Sequence, residues 1–224
     1  PLGGGQGTAR PTSKAAGVQH VAHDVPAKPE LLAPAGTLAA GLTAFDAGAD
    51  AIYAGLPKFN ARERSENCTA EEMSRLIAYA HKIGRKVYVT LNTLLKETEL
   101  AEAAEIAAPL ADMGPDAVIV QDLGAVRLLR ECFPSLPLHG STQMGIHNSA
   151  GAAFAQSAGL RRIILERQTT FEELLEIRKN TTVELELFVH GALCCGRSGS
   201  CLFSSWLGGW SGNRGKCKQP CRRR

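Results

Sequence analysis

Four cysteines in the last part of the chain have the residue type and the spacing that metal chemistry needs. Cys194, Cys201, Cys217 and Cys221 form the pattern C-x6-C-x15-C-x3-C. Cysteine thiolates are the usual ligands of structural zinc and of iron–sulfur clusters. The sequence therefore predicts a metal centre in this segment.

The spacing of the cysteines leaves the identity of the metal open. Disulfides suit small, cysteine-dense secreted domains, and residues 1–29 lack the compact apolar region of a secretory signal. Structural zinc usually shows paired knuckles, which only Cys217-x3-Cys221 approximates. An iron–sulfur cluster accepts four thiolates at irregular spacing. On spacing alone, zinc and iron–sulfur are equally favoured.

A repeated unit upstream of the cysteines predicts the elements that position them. In each unit a helical stretch ends at a glycine, and a short apolar run follows, as in GADAIYAG from Gly48, GRKVYVTLN from Gly84, GPDAVIVQD from Gly114 and GLRRIILER from Gly159. Glycine closes a helix without a steric penalty. The uninterrupted apolar runs are typical of parallel strands that are buried on both faces.

Helical patterns alternate with these strands. Apolar spacing predicts helices near residues 70–83, 98–113 and 170–180, and Thr69-x-x-Glu72 and Thr170-x-x-Glu173 have the form of capping boxes. With LLAPAG, PLHGSTQ and VELELFVHG, the chain has seven predicted strands. Strict alternation predicts an α/β fold, a (β/α)8 TIM-barrel-like arrangement with about seven β/α units. A Rossmann-like sheet is the alternative, but no G-x-G-x-x-G motif follows the first strand.

The predicted domain organisation has three parts. Residues 1–29 form a flexible leader, 30–190 an incomplete barrel, and 191–224 a basic cysteine-rich segment that binds a cluster. Downstream domains are expected to be absent, so that the chain is an N-terminal portion of a longer protein.

Polar residues collect where the predicted strands end. Chemistry in barrels of parallel strands lies at the carboxyl ends of the strands. Several further polar groups share this position: Thr90, Asp122, His139, Ser141, Thr142, Glu166 and Arg167. The candidate catalytic residues are Asn60, Arg62, Asn92, Gln121, Gln143 and His190.

Charge is unevenly distributed along the chain. Residues 187–224 contain seven basic residues and no acidic one, whereas the remainder contains 18 basic and 22 acidic residues. A basic pole suits a polyanionic partner such as RNA, although the cations would equally offset a thiolate cluster. No stretch approaches the roughly 20 apolar residues that cross a bilayer, so we expect no membrane partner. We expect a cytoplasmic location, or an organelle if residues 1–29 are the remnant of a transit peptide.

Several blocks of the sequence resemble one known family. The motif ELFVHGALC with a second cysteine seven positions later, ELLAPAG at 30–36, GADAIYAGLPKFNAR at 48–62 and RGKCKQPCR at 214–222 resemble the peptidase U32 family, the so-called collagenase-like peptidases. The blocks VYVTLNTLL, DAVIVQDLG and LHGSTQMGIHN resemble most closely the branch that contains ribosomal and transfer RNA hydroxylation proteins.

The resemblance implies a cofactor and a reaction. Members bind a [4Fe–4S] cluster through four cysteines, which match Cys194, Cys201, Cys217 and Cys221 here. Members of the RNA branch hydroxylate a pyrimidine at C5 without O2 and use prephenate as the hydroxyl donor. The expected partners are therefore ribosomal or transfer RNA and the iron–sulfur assembly machinery.

Three hypotheses for function follow. The first is an iron–sulfur-dependent RNA hydroxylase, in which Arg62 pairs with a donor carboxylate, Asn92, Gln121 and Gln143 contact the base edge, and His190 transfers protons. The second is a U32-type peptidase, for which the sequence offers no nucleophile elbow or H-E-x-x-H motif. The third is an RNA-binding module that holds a structural metal.

Overall fold

Parallel strands and helices alternate along the chain, as the sequence predicts. The computed structural model describes residues 28–191, 194 and 196–222, so the predicted flexible leader lies outside the described residues except for Lys28 and Pro29. The elements are β1 (Leu32–Pro34), α1 (Leu38–Asp46), β2 (Ala51–Gly55), α2 (Ala70–Lys82), β3 (Lys86–Leu91), α3 (Leu100–Met113), β4 (Ala117–Val120), α4 (Leu123–Cys132), β5 (Leu138–Gly140), α5 (Ser149–Ser157), β6 (Arg162–Ile164), α6 (Phe171–Lys179), β7 (Glu184–Glu186) and α7 (Phe203–Trp206).

The seven strands form one parallel sheet in the order β1 to β7. Each strand pairs with the next one along the chain, and no order reversal occurs among these strands. A doubly wound sheet requires such a reversal, so the structure confirms the barrel-like prediction over the Rossmann-like alternative. The described residues form a curled half-barrel whose edge strands are β1 and β7.

The predicted helix-ending glycines and capping boxes are both present in the structure. The glycines at 48, 84, 114 and 159 have φ between +66° and +99°. Both capping boxes form: Thr69 with Glu72, and Thr170 with Glu173, each exchange hydrogen bonds with the partner's backbone. These contacts fix the ends of the helices and therefore the points at which the strands begin.

The two faces of the sheet bury different side chains. Val87 and Val89 of β3 pack outward with Ile52 against the helices, whereas Tyr88 between them faces the barrel interior with Ile119. This alternation follows from the two-residue period of a strand. Among the described residues, no helix combines the length and the apolar character of a membrane crossing.

A charged network occupies part of the barrel interior. The Arg162 guanidinium donates to Glu30 at 2.7 Å and to Glu184 at 2.8 Å, and its central carbon lies 5.1 Å from the centre of the Tyr88 ring. The Tyr88 hydroxyl donates to the same Glu30 carboxylate at 2.6 Å. Burial raises the pKa of Glu30, but the hydrogen bonds from Arg162, Lys86 and Tyr88 outweigh it and hold that pKa at about 2. Arg162 thus joins β6 and β7 to Glu30, which lies two residues before β1.

Glu186 lies at the carboxyl end of β7 and faces the same interior. Its Oε2 lies 3.5 Å from an Arg162 nitrogen and has no hydrogen-bond partner among the described residues. Burial raises the pKa of Glu186 to about 7, although the charge of Arg162 opposes this shift. Burial lowers the pKa of His139 to about 3, and the charge of Arg162 adds to this effect. His139 is therefore neutral at pH 7.

Candidate functional site

Four of the predicted site residues lie together at the carboxyl ends of adjacent strands. Asn60 follows β2, Asn92 directly follows β3, Gln121 directly follows β4, and Gln143 lies in a 3-10 turn after β5. Asn60, Asn92 and Gln121 are buried, and Gln143 is half-buried. The sheet order brings them together, since each strand pairs with the next one.

Hydrogen bonds connect these residues. The Ala61 amide donates to Asn92 Oδ1 at 2.9 Å, and Asn92 Nδ2 donates to the Ser141 hydroxyl at 3.4 Å. The same hydroxyl accepts from the Gln143 amide at 3.2 Å, and Gln121 Nε2 points at the Gln143 carbonyl oxygen at 3.5 Å. A continuous polar layer therefore crosses from β2 to β5.

Two acceptors in this layer lack a donor within the described part of the chain. Gln121 Oε1 and Gln143 Oε1 are buried and have no hydrogen-bond partner among the described residues. Leaving a buried polar atom unsatisfied costs about 1–3 kcal/mol, so such atoms usually mark a place that a ligand or water completes. Gln121 also lines an open cleft of about 270 Å³, together with His147, Asn148 and Phe154.

The cysteine segment, residues 191–222 in their described part, packs over the ends of the later strands. The Ser198 amide donates to Glu166 Oε1 at 3.0 Å, and Arg167 donates to the Ser198 hydroxyl at 2.7 Å. Gly199 has φ of +73°, and a β-carbon placed there would overlap the Gln143 carbonyl oxygen and lie 3.0 Å from Gln121 Nε2. Only glycine permits this close approach.

The same segment also reaches the ends of the earlier strands. A β-carbon at Gly215, where φ is +75°, would overlap the Asn60 carbonyl oxygen. The Leu94 amide donates to the Asn213 carbonyl at 3.1 Å. Arg214 binds Glu99 through two nitrogens at 2.9 and 2.6 Å, and these hydrogen bonds hold the pKa of Glu99 at about 2. The cysteine segment therefore covers the polar layer from both sides.

The cysteines differ in their surroundings. Cys194, Cys217 and Cys221 are exposed, and Cys201 is half-buried. Cys217 Sγ accepts hydrogen bonds from the Gln219 amide at 3.4 Å and from the Ser204 hydroxyl at 3.7 Å. Hydrogen bonds to cysteine sulfur tune the reduction potential of iron–sulfur clusters.

One glycine lies close to a cysteine of this segment. A β-carbon at Gly196 would lie 3.2 Å from the β-carbon of Cys201 and 3.4 Å from its Sγ. The donor chemistry of the segment fits a thiolate-bound cluster. Among residues 28–191, 194 and 196–222, however, no three His, Cys, Asp or Glu side chains form a group that could hold a metal ion.

Arg62 and His190 lie apart from the buried polar layer. Both residues are exposed, and the Arg62 amide donates to Asn60 Oδ1 at 2.7 Å. Burial raises the pKa of the Tyr53 phenol, and the charges of Arg62 and Arg167 oppose this shift. Arg62 and Arg167 therefore both act on the interior phenol of β2, whereas His190 follows β7 on the surface.

Sequence reasoning missed three groups that shape the site: Glu186, Ser198 and Ser204. The alternation of Glu184, Leu185 and Glu186 in VELELFV was the available signal for Glu186, because it places both carboxylates on one face of the strand. No sequence signal distinguished Ser198 and Ser204 from other serines, because their partners are distant in the chain.

The sequence of this chain matches a known protein family. The sequence model of peptidase family U32 matches residues 36–224. This chain belongs to peptidase family U32. The match covers the half-barrel from α1 onward and the cysteine segment.

Relatives of this U32 chain include proteins named for RNA hydroxylation. A tRNA hydroxylation protein P of Escherichia coli is 43% identical over 87% of this chain and 43% of its own length. The 23S rRNA 5-hydroxycytidine synthase of Escherichia coli is 40% identical over 86% of this chain and 29% of its own length. An uncharacterized protease of Methanocaldococcus jannaschii is 44% identical over 87% of this chain and 48% of its own length. The chain thus spans less than half the length of these relatives.

A solved structure confirms the family's fold. The structure of a U32 peptidase superposes with a TM-score of 0.62 at 16% identity, and the match covers 74% of this chain and 70% of that one. At this identity the likeness concerns the fold alone.

Proposed function

We propose that this U32 chain belongs to an RNA-modifying protein that hydroxylates a pyrimidine base at C5 without O2. The names of the relatives at 40–43% identity support the reaction class. One structural observation supports a role for particular residues. Two buried acceptors beneath the cysteine segment, Gln121 Oε1 and Gln143 Oε1, have no hydrogen-bond partner among the described residues.

In the proposed reaction the base is oxidised and a donor is reduced. The C5–H bond of the pyrimidine becomes C5–OH, and the base gives up two electrons. A hydroxylated carboxylic acid such as prephenate supplies the hydroxyl group, and its C–OH carbon takes up the hydrogen and the two electrons to become C–H. The exposed guanidinium of Arg62 would bind a donor carboxylate through two parallel hydrogen bonds.

The amide side chains would bind and orient the base. Gln121 Oε1 and Gln143 Oε1 can each accept from an amino or imino N–H of a pyrimidine. Asn92 positions this layer, because it joins the Ala61 amide to the Ser141 hydroxyl. Exclusion of water by the overlying Gly199 loop would strengthen these hydrogen bonds.

Cys194, Cys201, Cys217 and Cys221 would hold a [4Fe–4S] cluster. When bound, such a cluster supplies one-electron redox chemistry close to the carboxyl ends of the strands. The Ser204 hydroxyl and the Gln219 backbone amide, which donate to Cys217 Sγ, would orient this sulfur and tune the potential of the cluster. The iron–sulfur assembly machinery would be the partner that delivers the cluster.

The cluster assignment is tested on protein purified without oxygen. We expect iron and sulfide in equal amounts and visible absorption, both lost in Cys217→Ser. Cys132→Ser is the matched control, since Cys132 is also exposed but lies at the end of α4. Colourless protein with bound zinc would contradict the assignment.

The reaction is tested by mass spectrometry of ribosomal and transfer RNA nucleosides. A strain that lacks the gene should lose a pyrimidine nucleoside that is heavier by one oxygen atom. The full-length gene should restore it, and Gln121→Leu or Gln143→Leu in that gene should not. An unchanged nucleoside profile in the deletion strain would contradict the proposal.

The peptidase hypothesis has weaker support from the site. The buried Ser141 hydroxyl accepts from the amide groups of Asn92 and Gln143, and neither is a base that could activate a nucleophile. Cleavage of a peptide substrate that Gln143→Leu abolishes would favour the peptidase over the hydroxylase.

A further inference from the structure

One face of the short helix α7 exposes four large apolar side chains. The exposed fractions are 57% for Leu202, 45% for Phe203, 85% for Trp206 and 66% for Leu207. Backbone hydrogen bonds from Trp206 to Leu202 and from Leu207 to Phe203 form a helical turn, so these residues share one side of it. A contiguous apolar patch of this kind marks an interaction surface.

The opposite side of the turn is hydrogen-bonded to a later part of the same cysteine segment, at Cys217 and Lys218. Ser204 is buried, its hydroxyl lies 3.7 Å from Cys217 Sγ, and the same oxygen accepts from the Lys218 amide at 3.1 Å. These bonds set the direction of the helix, so Trp206 is held outward. The apolar face therefore belongs to the same segment that covers the polar layer, and it faces solvent.

An exposed cation, Arg222, lies in a turn that packs against α7. This turn is Pro220–Arg222, and α7 also packs against the turn Gly212–Arg214. Nearby, the second tryptophan, Trp210, has the Lys218 ammonium 3.9 Å and the Arg64 guanidinium 4.6 Å from its ring centre. No acidic residue occurs between residues 187 and 224.

We propose that the Trp206 face is the platform on which an unpaired base of the RNA substrate stacks. Exposed aromatic rings among cations are the arrangement that binds single-stranded nucleic acid, since rings stack on bases while cations meet phosphates. Protein interfaces instead deplete lysine at their cores and pair charges of both signs. This inference rests on the proposed function, because it takes RNA as the substrate.

Trp206 is a suitable platform and Trp210 is not. The two cations over the Trp210 ring occupy space that a base would need, whereas Trp206 is 85% exposed. Since the chain has two tryptophans, each can be removed in turn to assign a fluorescence change to the other.

The test titrates the full chain with a single-stranded RNA of about 12 nucleotides, within the site sizes of such proteins. Trp206→Ala should weaken binding by about 5- to 150-fold, the range for loss of one stacked base. Trp206→Phe should retain most of the affinity. Phe171→Ala is the matched control, because Phe171 is 67% exposed at the start of α6 and should leave binding unchanged.

Fluorescence supplies a second readout. RNA should quench the emission of Trp210→Phe protein, in which Trp206 is the remaining tryptophan, and should leave that of Trp206→Phe protein unchanged. Circular dichroism confirms folding, which an exposed side chain should not affect.

The outcomes separate this inference from the proposed function. RNA binding that Trp206→Ala leaves intact would overturn the platform and leave the hydroxylase proposal standing. Failure of the wild-type chain to bind any RNA would count against both. A dimer that Trp206→Ala dissociates, with no effect on RNA binding, would assign the face to a second copy of the chain.

Discussion

Replacing Gly199 by alanine should detach the cysteine segment from the strand ends without unfolding the barrel. Gly199 has φ of +73°, and the added β-carbon would overlap the Gln143 carbonyl oxygen. The loop must move away, and the Ser198 hydrogen bonds to Glu166 and Arg167 go with it.

The expected size of the effect follows from these contacts. A left-handed conformation costs a residue with a β-carbon about 1–2 kcal/mol. Each hydrogen bond to a charged group contributes roughly 1.5–3 kcal/mol. Since Ser198 makes two such bonds and part of their energy is recovered by water, we expect the docking free energy to fall by about 3–5 kcal/mol. That corresponds to an opening constant more than about 100-fold larger.

Hydrogen exchange of the Ser198 amide is the direct measurement, because this amide donates to Glu166 in the docked state. We expect its exchange to accelerate by more than about 100-fold in Gly199→Ala. Gly209→Ala is the matched control, since Gly209 has φ of +71° but nothing within 4 Å of the added carbon. The control should cost only the backbone strain. Equal protection of Ser198 in the two variants would refute the docking argument.

Two further predictions concern the barrel interior. Arg162→Met should lower the free energy of unfolding by about 1–3 kcal/mol in a urea titration, because the half-buried Glu30 carboxylate loses Arg162 but keeps Lys86 and the Tyr88 hydroxyl as partners; an unchanged free energy of unfolding would contradict the network. Glu186 has a pKa of about 7 in the folded state against an ordinary value of 4.5, so its ionisation lowers stability as the pH rises from 4.5 to 7. Glu186→Gln removes this loss, and the stability of the variant relative to wild type should therefore increase over that range; a flat difference would refute the shift. The comparison with wild type is needed because His139, with a folded pKa of about 3 against 6.5, gives the opposite slope between those values.

Much of the fold could be predicted because its signals are local. The glycines at 48, 84, 114 and 159 and the two capping boxes lie within a few residues of the elements they terminate. Uninterrupted apolar runs fixed the strands as parallel and buried, and strict alternation then excluded most other topologies. The positions of Asn60, Asn92, Gln121 and Gln143 at the carboxyl ends followed from the same alternation.

The barrel interior could not be predicted in the same way. In the sequence GLRRIILER, Arg162 stands at the start of an apolar run. In the structure it binds Glu30, which lies 132 residues earlier in the chain. That pairing depends on the curvature of the sheet, which brings β6 near the segment that leads into β1. A sequence pattern holds no information on that distance.

For the site itself, the sequence alone determined which residue types are available: four cysteines in one basic segment and polar side chains at the ends of the strands. Only the tertiary structure decided how they meet. It places Gly199 and Ser198 over Gln143 and Glu166, leaves two glutamine acceptors unsatisfied beneath them, and puts His190 on the surface. The physical reason is that hydrogen bonds and close backbone contacts depend on distances between atoms far apart in the chain, and the packing of the half-barrel sets those distances.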